Sequence, residues 1–175
     1  ALLQQKLGAY IMARNDETPE GTVGKLLINN NLSLSLAESC TGGLIASLLT
    51  SQPGASAFLE RGAVTYADSA KLDWLQVPLP LLQQHGAVSE QCARAMAIGL
   101  RRATGTDLAL AVTGIAGPDG GSEEKPVGTV FLALASPEGV HVQGYRFNGD
   151  RIRVQRMSAF MGLEWLRRFA LRKQE

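Results

Sequence analysis

The stretch Leu108-Ala109-Leu110-Ala111-Val112, set between Asp107 and Thr113, is apolar at every position, and that continuity constrains the fold more than any other feature of the chain. A strand with one wet face alternates apolar and polar residues, so an unbroken apolar run suits a strand buried on both faces. Such a strand needs a layer above it and a layer below, and the flanking segments supply helices. Thr18-Pro19-Glu20 offers a cap, a proline at the first helical position and an early acid, and Val23, Leu26 and Leu27 follow at helical spacing. Leu32, Leu34 and Leu36 alternate with Ser33 and Ser35, the period of two expected of a strand. Thr41 to Ser51 reads as a helix with Leu44, Leu48 and Leu49 inward, stopped by Gln52-Pro53-Gly54.

Ala63 to Tyr66 is a short strand, and Asp68 is placed to cap a helix carrying Lys71, Leu72, Trp74 and Leu75, which Pro78 and Pro80 break. Ser89, with Glu90 after it, starts the clearest helix, through Ala93, Met96, Ala97 and Leu100 to Gly105. Two strands, Thr129 to Ala135 and Val140 to Phe147, are joined by Ser136-Pro137-Glu138-Gly139 as a hairpin. Asp150 opens a final helix with Ile152, Met157, Phe160, Met161, Leu166 and Phe169 as its apolar side. The order β-α-β-α-α-β-β-β-α after the first helix predicts an α/β fold, a mixed β-sheet covered by helices on both faces in three α/β/α layers.

A chain of 175 residues, 45% hydrophobic, has enough apolar material for one domain with a real core. The polar stretch Arg14-Asn15-Asp16-Glu17 marks residues 1–17 as a tail or interdomain linker and 18–175 as the folded unit. Its 17 basic and 16 acidic residues cancel to +1, which leaves no field to hold a polyanion and argues against general nucleic-acid binding. No apolar run approaches the ~20 residues of a membrane span, and no signal peptide opens the chain, so a cytoplasmic home without membrane contact is expected. Cys40, Cys92, His85 and His141 have no metal-ligand spacing, and neither a metal nor a cofactor is expected.

Three segments stand out, and all fall where strands end. Ala37-Glu38-Ser39-Cys40-Thr41-Gly42-Gly43 sits at a strand-to-helix junction, the place where α/β sheets form ligand crevices. Two roles are open there. Ser39 or Thr41 caps the helix while the glycines ease the turn; or Ser39 is a nucleophile whose neighbouring amides form an oxyanion hole. A serine nucleophile needs a base. His85, in a loop, and His141, within a hairpin strand, lack an acid to orient them. Lys71 is better placed, because a lysine desolvated by Ala70, Leu72 and Trp74 can be neutral and take the serine proton; the alternative is a solvated surface lysine. Tyr66 either holds substrate or relays a proton, or else packs at a strand end.

The second segment, from Val112 to Gly128, is long and glycine-rich, a nest of amides with Thr113 donating at its root, or simply a mobile loop. The third, Gly149-Asp150-Arg151-Ile152-Arg153-Val154-Gln155-Arg156, puts three arginines where the helix dipole disfavours cations, which a bound phosphate would offset. Against this, Arg167, Arg168 and Arg172 sit at the other end, where the dipole favours cations, and the alternative is a helix that is simply arginine-rich.

Taken together, these segments resemble the CinA C-terminal family, and specifically its nicotinamide-nucleotide amidase members, over roughly residues 20 to 170. The resemblance rests on residues 37–43, on Arg61-Gly62-Ala63-Val64-Thr65-Tyr66 with Lys71 after it, on His85-Gly86-Ala87-Val88-Ser89, on the loop from Thr113 to Gly128, and on Gly149-Asp150-Arg151. It implies metal-free hydrolysis of nicotinamide mononucleotide to nicotinic acid mononucleotide and ammonia. On matching positions it implies Ser39 as nucleophile and Lys71 as base, with Tyr66 and Thr113 assisting. Thr41, Gly42, Gly43 and Gly114 are the expected amide donors, and Arg151, with Arg156 beside it, the expected phosphate contacts; Arg151 is the match because it follows the Gly-Asp pair.

An alternative is a domain that binds a nucleotide or partner without catalysis, and another is an amidase for a related pyridine nucleotide. The apolar helices lead us to expect a homodimer. Asp16-Glu17-Thr18-Pro19-Glu20 resembles the linker that enters this domain in two-domain members, and the chain opens at Ala1, which sets the expectation of a missing N-terminal domain.

Overall fold

A computed structural model describes residues 11–13 and 17–173; most of the expected tail, residues 1–10 and 14–16, lies outside the described residues. Helix α1 (Pro19–Asn29) starts at the expected cap, with Thr18 Oγ1 accepting from the Gly21 amide at 3.2 Å. Strand β1 (Leu34–Glu38) leads to α2 (Leu44–Thr50), and β2 (Leu59–Val64) to α3 (Asp68–Leu75). Then come α4 (Leu79–His85), α5 (Glu90–Thr104), β3 (Leu108–Gly114), the hairpin β4 (Thr129–Ser136) and β5 (Gly139–Arg146), and α6 (Arg151–Arg172).

The five strands form one sheet in the order β2-β1-β3-β4-β5, with β1 parallel to both neighbours and β4 antiparallel to β3 and β5. Beneath one face, Leu34, Leu36, Leu108, Leu110 and Leu132 pack with Val23 and Leu27 of α1, Ile45 and Leu49 of α2, and Leu163 and Leu166 of α6. On the other, small residues of the sheet, Ala37, Ala109, Ala111 and Ala133, meet Leu75 of α3, Leu82 of α4 and Met96 and Leu100 of α5. The three-layer α/β/α arrangement and the doubly buried β3 are as the apolar run predicts.

Several boundaries differ, each for a physical reason. Strand β1 runs from Leu34 to Glu38, past the expected 32–36, because it too is buried on both faces. The serine of its apparent alternation faces no solvent: Ser35 is buried and shares hydrogen bonds with Thr104 and Thr106. Helix α2 starts at Leu44 rather than Thr41, since Gly42 and Gly43 both adopt positive φ, +63° and +95°, outside the right-handed helical region. Strand β2 begins at Leu59 rather than Ala63 and, as an edge strand with a largely exposed surface, carries no alternation to read. Asp68 makes no side-chain cap; it is the first residue of α3, after Ala67. Pro80 does not end structure but lies in the first turn of α4, where its missing N–H costs nothing, and His85 is the last residue of that helix rather than part of a loop.

One close contact fixes the helices beside the site, and a buried ion pair lies farther along α6. At Gly99 on α5, an added Cβ would lie 1.8 Å from the Leu75 carbonyl oxygen, so glycine there lets α5 touch the end of α3, the helix that carries Lys71. At the far end of α6, Arg167 is not a solvated dipole partner but a buried side chain, bonded through Nε and Nη2 to both oxygens of Glu164 at 2.7 and 2.8 Å. Burial alone would raise the Glu164 carboxyl; the two arginine partners, Arg167 and Arg168, hold it below its ordinary range.

Candidate active site

Register carries Ser39 and Thr113 to neighbouring positions. Glu38 pairs with Val112 on β3 and with Val64 on β2, and the next residues continue both ladders: the Ser39 amide donates to Val112 O at 3.0 Å, and the Thr65 amide to Glu38 O at 2.8 Å. The carboxyl ends of the three parallel strands therefore meet at one edge, where open α/β sheets form their crevices. A cavity of about 190 Å³ lies there, lined by Ser39, Cys40, Tyr66, Lys71, Ala87, Thr113, Gly114 and Arg151, among others. Six of the ten residues expected at the site border it; Thr41, Gly42, Gly43 and Arg156 do not.

Lys71 is fully buried, 1% exposed, although Trp74, one of the residues expected to shield it, is 61% exposed. Shielding comes instead from the chain that α3 folds back against. Lys71 Nζ donates to Thr65 O at 2.9 Å and Tyr66 O at 3.0 Å, with Ala67 O at 3.5 Å and the Asp68 carboxylate at 3.7 Å. None of its hydrogen bonds goes to Ser39. Three backbone carbonyl oxygens and one carboxylate thus hold the amine at the cavity wall.

Cys40 also borders the cavity, and chemistry separates it from Ser39. Burial pushes the Cys40 thiol up to about 12, so it stays protonated at neutral pH and is a poor nucleophile. Thr113 Oγ1 donates to Ala87 O at 2.8 Å, which spends its hydrogen on the wall formed by residues 87–88 and leaves only lone pairs for the cavity. Arg151 spans the mouth: one nitrogen donates to Gly117 O at 2.8 Å, and the other to Tyr66 Oη at 3.0 Å. Its remaining N–H groups have no acceptor among the described residues.

The expected amide donors prove largely spent. Glu38, whose side chain points to the opposite face of β1 from Ser39, accepts from the amides of Gly43 at 3.1 Å, Ile45 at 3.1 Å and Ala46 at 2.8 Å. This buried carboxylate occupies the start of α2, and no anion can bind there. The Gly42 amide donates to Ser39 O at 3.1 Å. Of the trio 41–43 only the Thr41 amide has no acceptor among the described residues, while the Cys40 amide bonds to its own sulfur. The base of the long glycine-rich loop is pinned: the Ile115 and Gly128 amides bond to Thr129 O and Ile115 O, and Lys125 Nζ donates to His85 O at 2.7 Å.

Glu38 and Gln155, which donates from α6 to Cys40 O at 3.0 Å, are the residues sequence reasoning missed. An acid five residues before the first amide it bonds fits no capping pattern, and nothing local ties position 155 to position 40. His85 and His141 stay away from the cavity, and among the described residues no cluster of His, Cys, Asp and Glu could hold a metal ion. No helix among them is long and apolar enough to cross a membrane.

The fold and its crevice are those of an α/β domain with a serine and a buried lysine amine at the carboxyl edge of a mixed sheet. Residues 16–170 match the model of the CinA C-terminal domain, and the chain belongs to that family. It is 59% identical over 163 residues to a CinA-like protein of Syntrophotalea carbinolica, covering 93% of this chain and 40% of that one. A CinA-like protein of Citrifermentans bemidjiense is 52% identical over 172 residues, at 98% and 42% coverage. The chain thus spans about two fifths of the length of these relatives. Among solved structures, a competence-damaged protein (CinA) superfamily protein from Klebsiella pneumoniae superposes with a TM-score of 0.84 at 37% identity, covering 87% of this chain and 96% of that one. The competence/damage inducible protein CihA from Agrobacterium tumefaciens gives 0.79 at 41% identity, covering 89% and 97%.

Proposed function

We propose that this domain is an amidohydrolase that converts nicotinamide mononucleotide to nicotinic acid mononucleotide and ammonia, with Ser39 as nucleophile and Lys71 as base. The observation that carries the reading is the convergence of Ser39 and the buried Lys71 on one small cavity, with no histidine in its lining. Lys71 takes the Ser39 proton as the serine oxygen attacks the carboxamide carbon, and the resulting ammonium is met by Ala67 O and Asp68. Amides of the turn after Ser39 hold the oxyanion. The C–N bond then breaks, Lys71 returns its proton to the departing nitrogen, and ammonia leaves. A water molecule, deprotonated by Lys71, splits the ester and restores Ser39.

Arg151 is the phosphate contact in this reading, since its spare N–H groups sit at the cavity mouth beside the Tyr66 ring edge. Arg156, outside the cavity lining, has no part in it. A cytoplasmic setting is consistent with two free, buried cysteines. Homodimer formation is supported by the exposed apolar residues Ile152, Met157 and Phe160 on α6.

Ammonia release from nicotinamide mononucleotide by the purified protein tests the reading. Release in equal amounts with nicotinic acid mononucleotide is expected. Tight binding of the mononucleotide with no ammonia would instead favour the non-catalytic alternative.

A further inference from the structure

We infer that Gln155 is a positioning residue that aims the oxyanion hole. The inference deepens the amidase reading and rests on it for the negative charge that must be held. Gln155 lies on α6, one turn beyond Arg151, and its Nε2 donates to Cys40 O at 3.0 Å. The Cys40–Thr41 peptide is trans, since the only cis bond among the described residues is Gly117–Pro118. In a planar trans peptide, C=O and N–H point in opposite directions. By fixing the Cys40 carbonyl toward α6, Gln155 turns the Thr41 N–H, two residues beyond Ser39, away from α6.

That N–H is the one the turn leaves over. The Gly42 amide is bonded to Ser39 O, and those of Gly43, Ile45 and Ala46 to the Glu38 carboxylate, whereas Thr41 N–H has no acceptor among the described residues. Thr41 is 3% exposed, so water does not readily satisfy it. Glu38 and Gln155 therefore grip the nucleophile turn from both sides and leave one amide unspent between them. A donor held in advance of the reaction stabilises charge as it develops without reorganising.

The test uses a fluorophosphonate probe, because it reports on Ser39 and its oxyanion hole without requiring the natural substrate. The Ser39 oxygen forms a bond to phosphorus, the P–F bond breaks, fluoride leaves and the serine proton goes to the base, while the phosphoryl oxygen draws on the same hole. Labelling of Ser39 in the wild type is expected to slow about tenfold or more in Gln155→Met, which keeps the length but cannot donate. Gln155→Glu, which matches the shape and replaces the donor with an acceptor, should behave alike and covers the case of a poorly folded Met variant. Gln155→Lys, which restores a donor, should stay within about threefold of wild type.

With nicotinamide mononucleotide, kcat should fall in step with the labelling rate while KM stays within about twofold. Equal labelling of wild type and the folded Met or Glu variant would overturn the inference, as would a wild-type Ser39 that does not react. Slowed labelling in a protein that releases no ammonia would uphold the role of Gln155 and reject the substrate.

Discussion

Replacing Ser39 with alanine is expected to lower ammonia release from nicotinamide mononucleotide about a thousandfold or more, because the covalent route disappears with the hydroxyl. Binding of the mononucleotide should persist, since the groups at the mouth, Arg151 and Tyr66, are untouched. Lys71→Met should produce a loss of similar size, for the serine proton then loses the one buried amine that lines the cavity. The paired measurement is steady-state turnover with a binding titration of each variant. The thiol next door offers no rescue: Cys40, pushed up to about 12, is protonated at any pH where the enzyme would work. A Ser39→Ala enzyme turning over within about tenfold of wild type would remove the serine from the mechanism.

The second large effect falls on stability. Glu38→Ala strips the acceptor from three amides at the start of α2, in a place only 1% exposed where water cannot take over. Charge-assisted bonds of this kind leave costly orphans, and a loss of about 3 to 5 kcal/mol is expected. For a domain of this size that lowers the midpoint of thermal unfolding by roughly ten degrees. Scanning calorimetry of the variant against wild type measures it directly. Glu38→Gln, which keeps the size and one acceptor oxygen, should lose less. A midpoint unchanged within about two degrees in the alanine variant would mean that the start of α2 is held by something other than this carboxylate.

How much of this was legible in sequence follows from where each interaction runs. Local rules worked where local physics decides: Thr18, Ser89 and Asp150 cap their helices as their positions announce, and the apolar run of β3 revealed a strand covered on both faces. They failed where burial hides in the pattern. Ser35 imitates a solvent-facing residue while bonding to Thr104 and Thr106 inside the fold, and β2 carries too little buried surface to print a period. At the site, Ser39, Tyr66, Lys71, Thr113, Gly114 and Arg151 could be chosen because each ends a strand, starts a helix or matches a motif. What could not be read was how the amides are spent. That depends on Glu38 crossing to the far face of its own strand and on Gln155 reaching Cys40 from 115 residues away.

The central claim is that a covalent ester on Ser39 lies between amide and acid. Rapid acid quenching during the first turnover with nicotinamide mononucleotide, followed by mass spectrometry of the digested protein, tests it most directly. The expected result is a transient mass increase, equal to the substrate less ammonia, on the peptide that carries Ser39 and absent from Ser39→Ala. An adduct on Cys40 or any other residue, or ammonia release across the whole time course with every peptide unmodified, would contradict it.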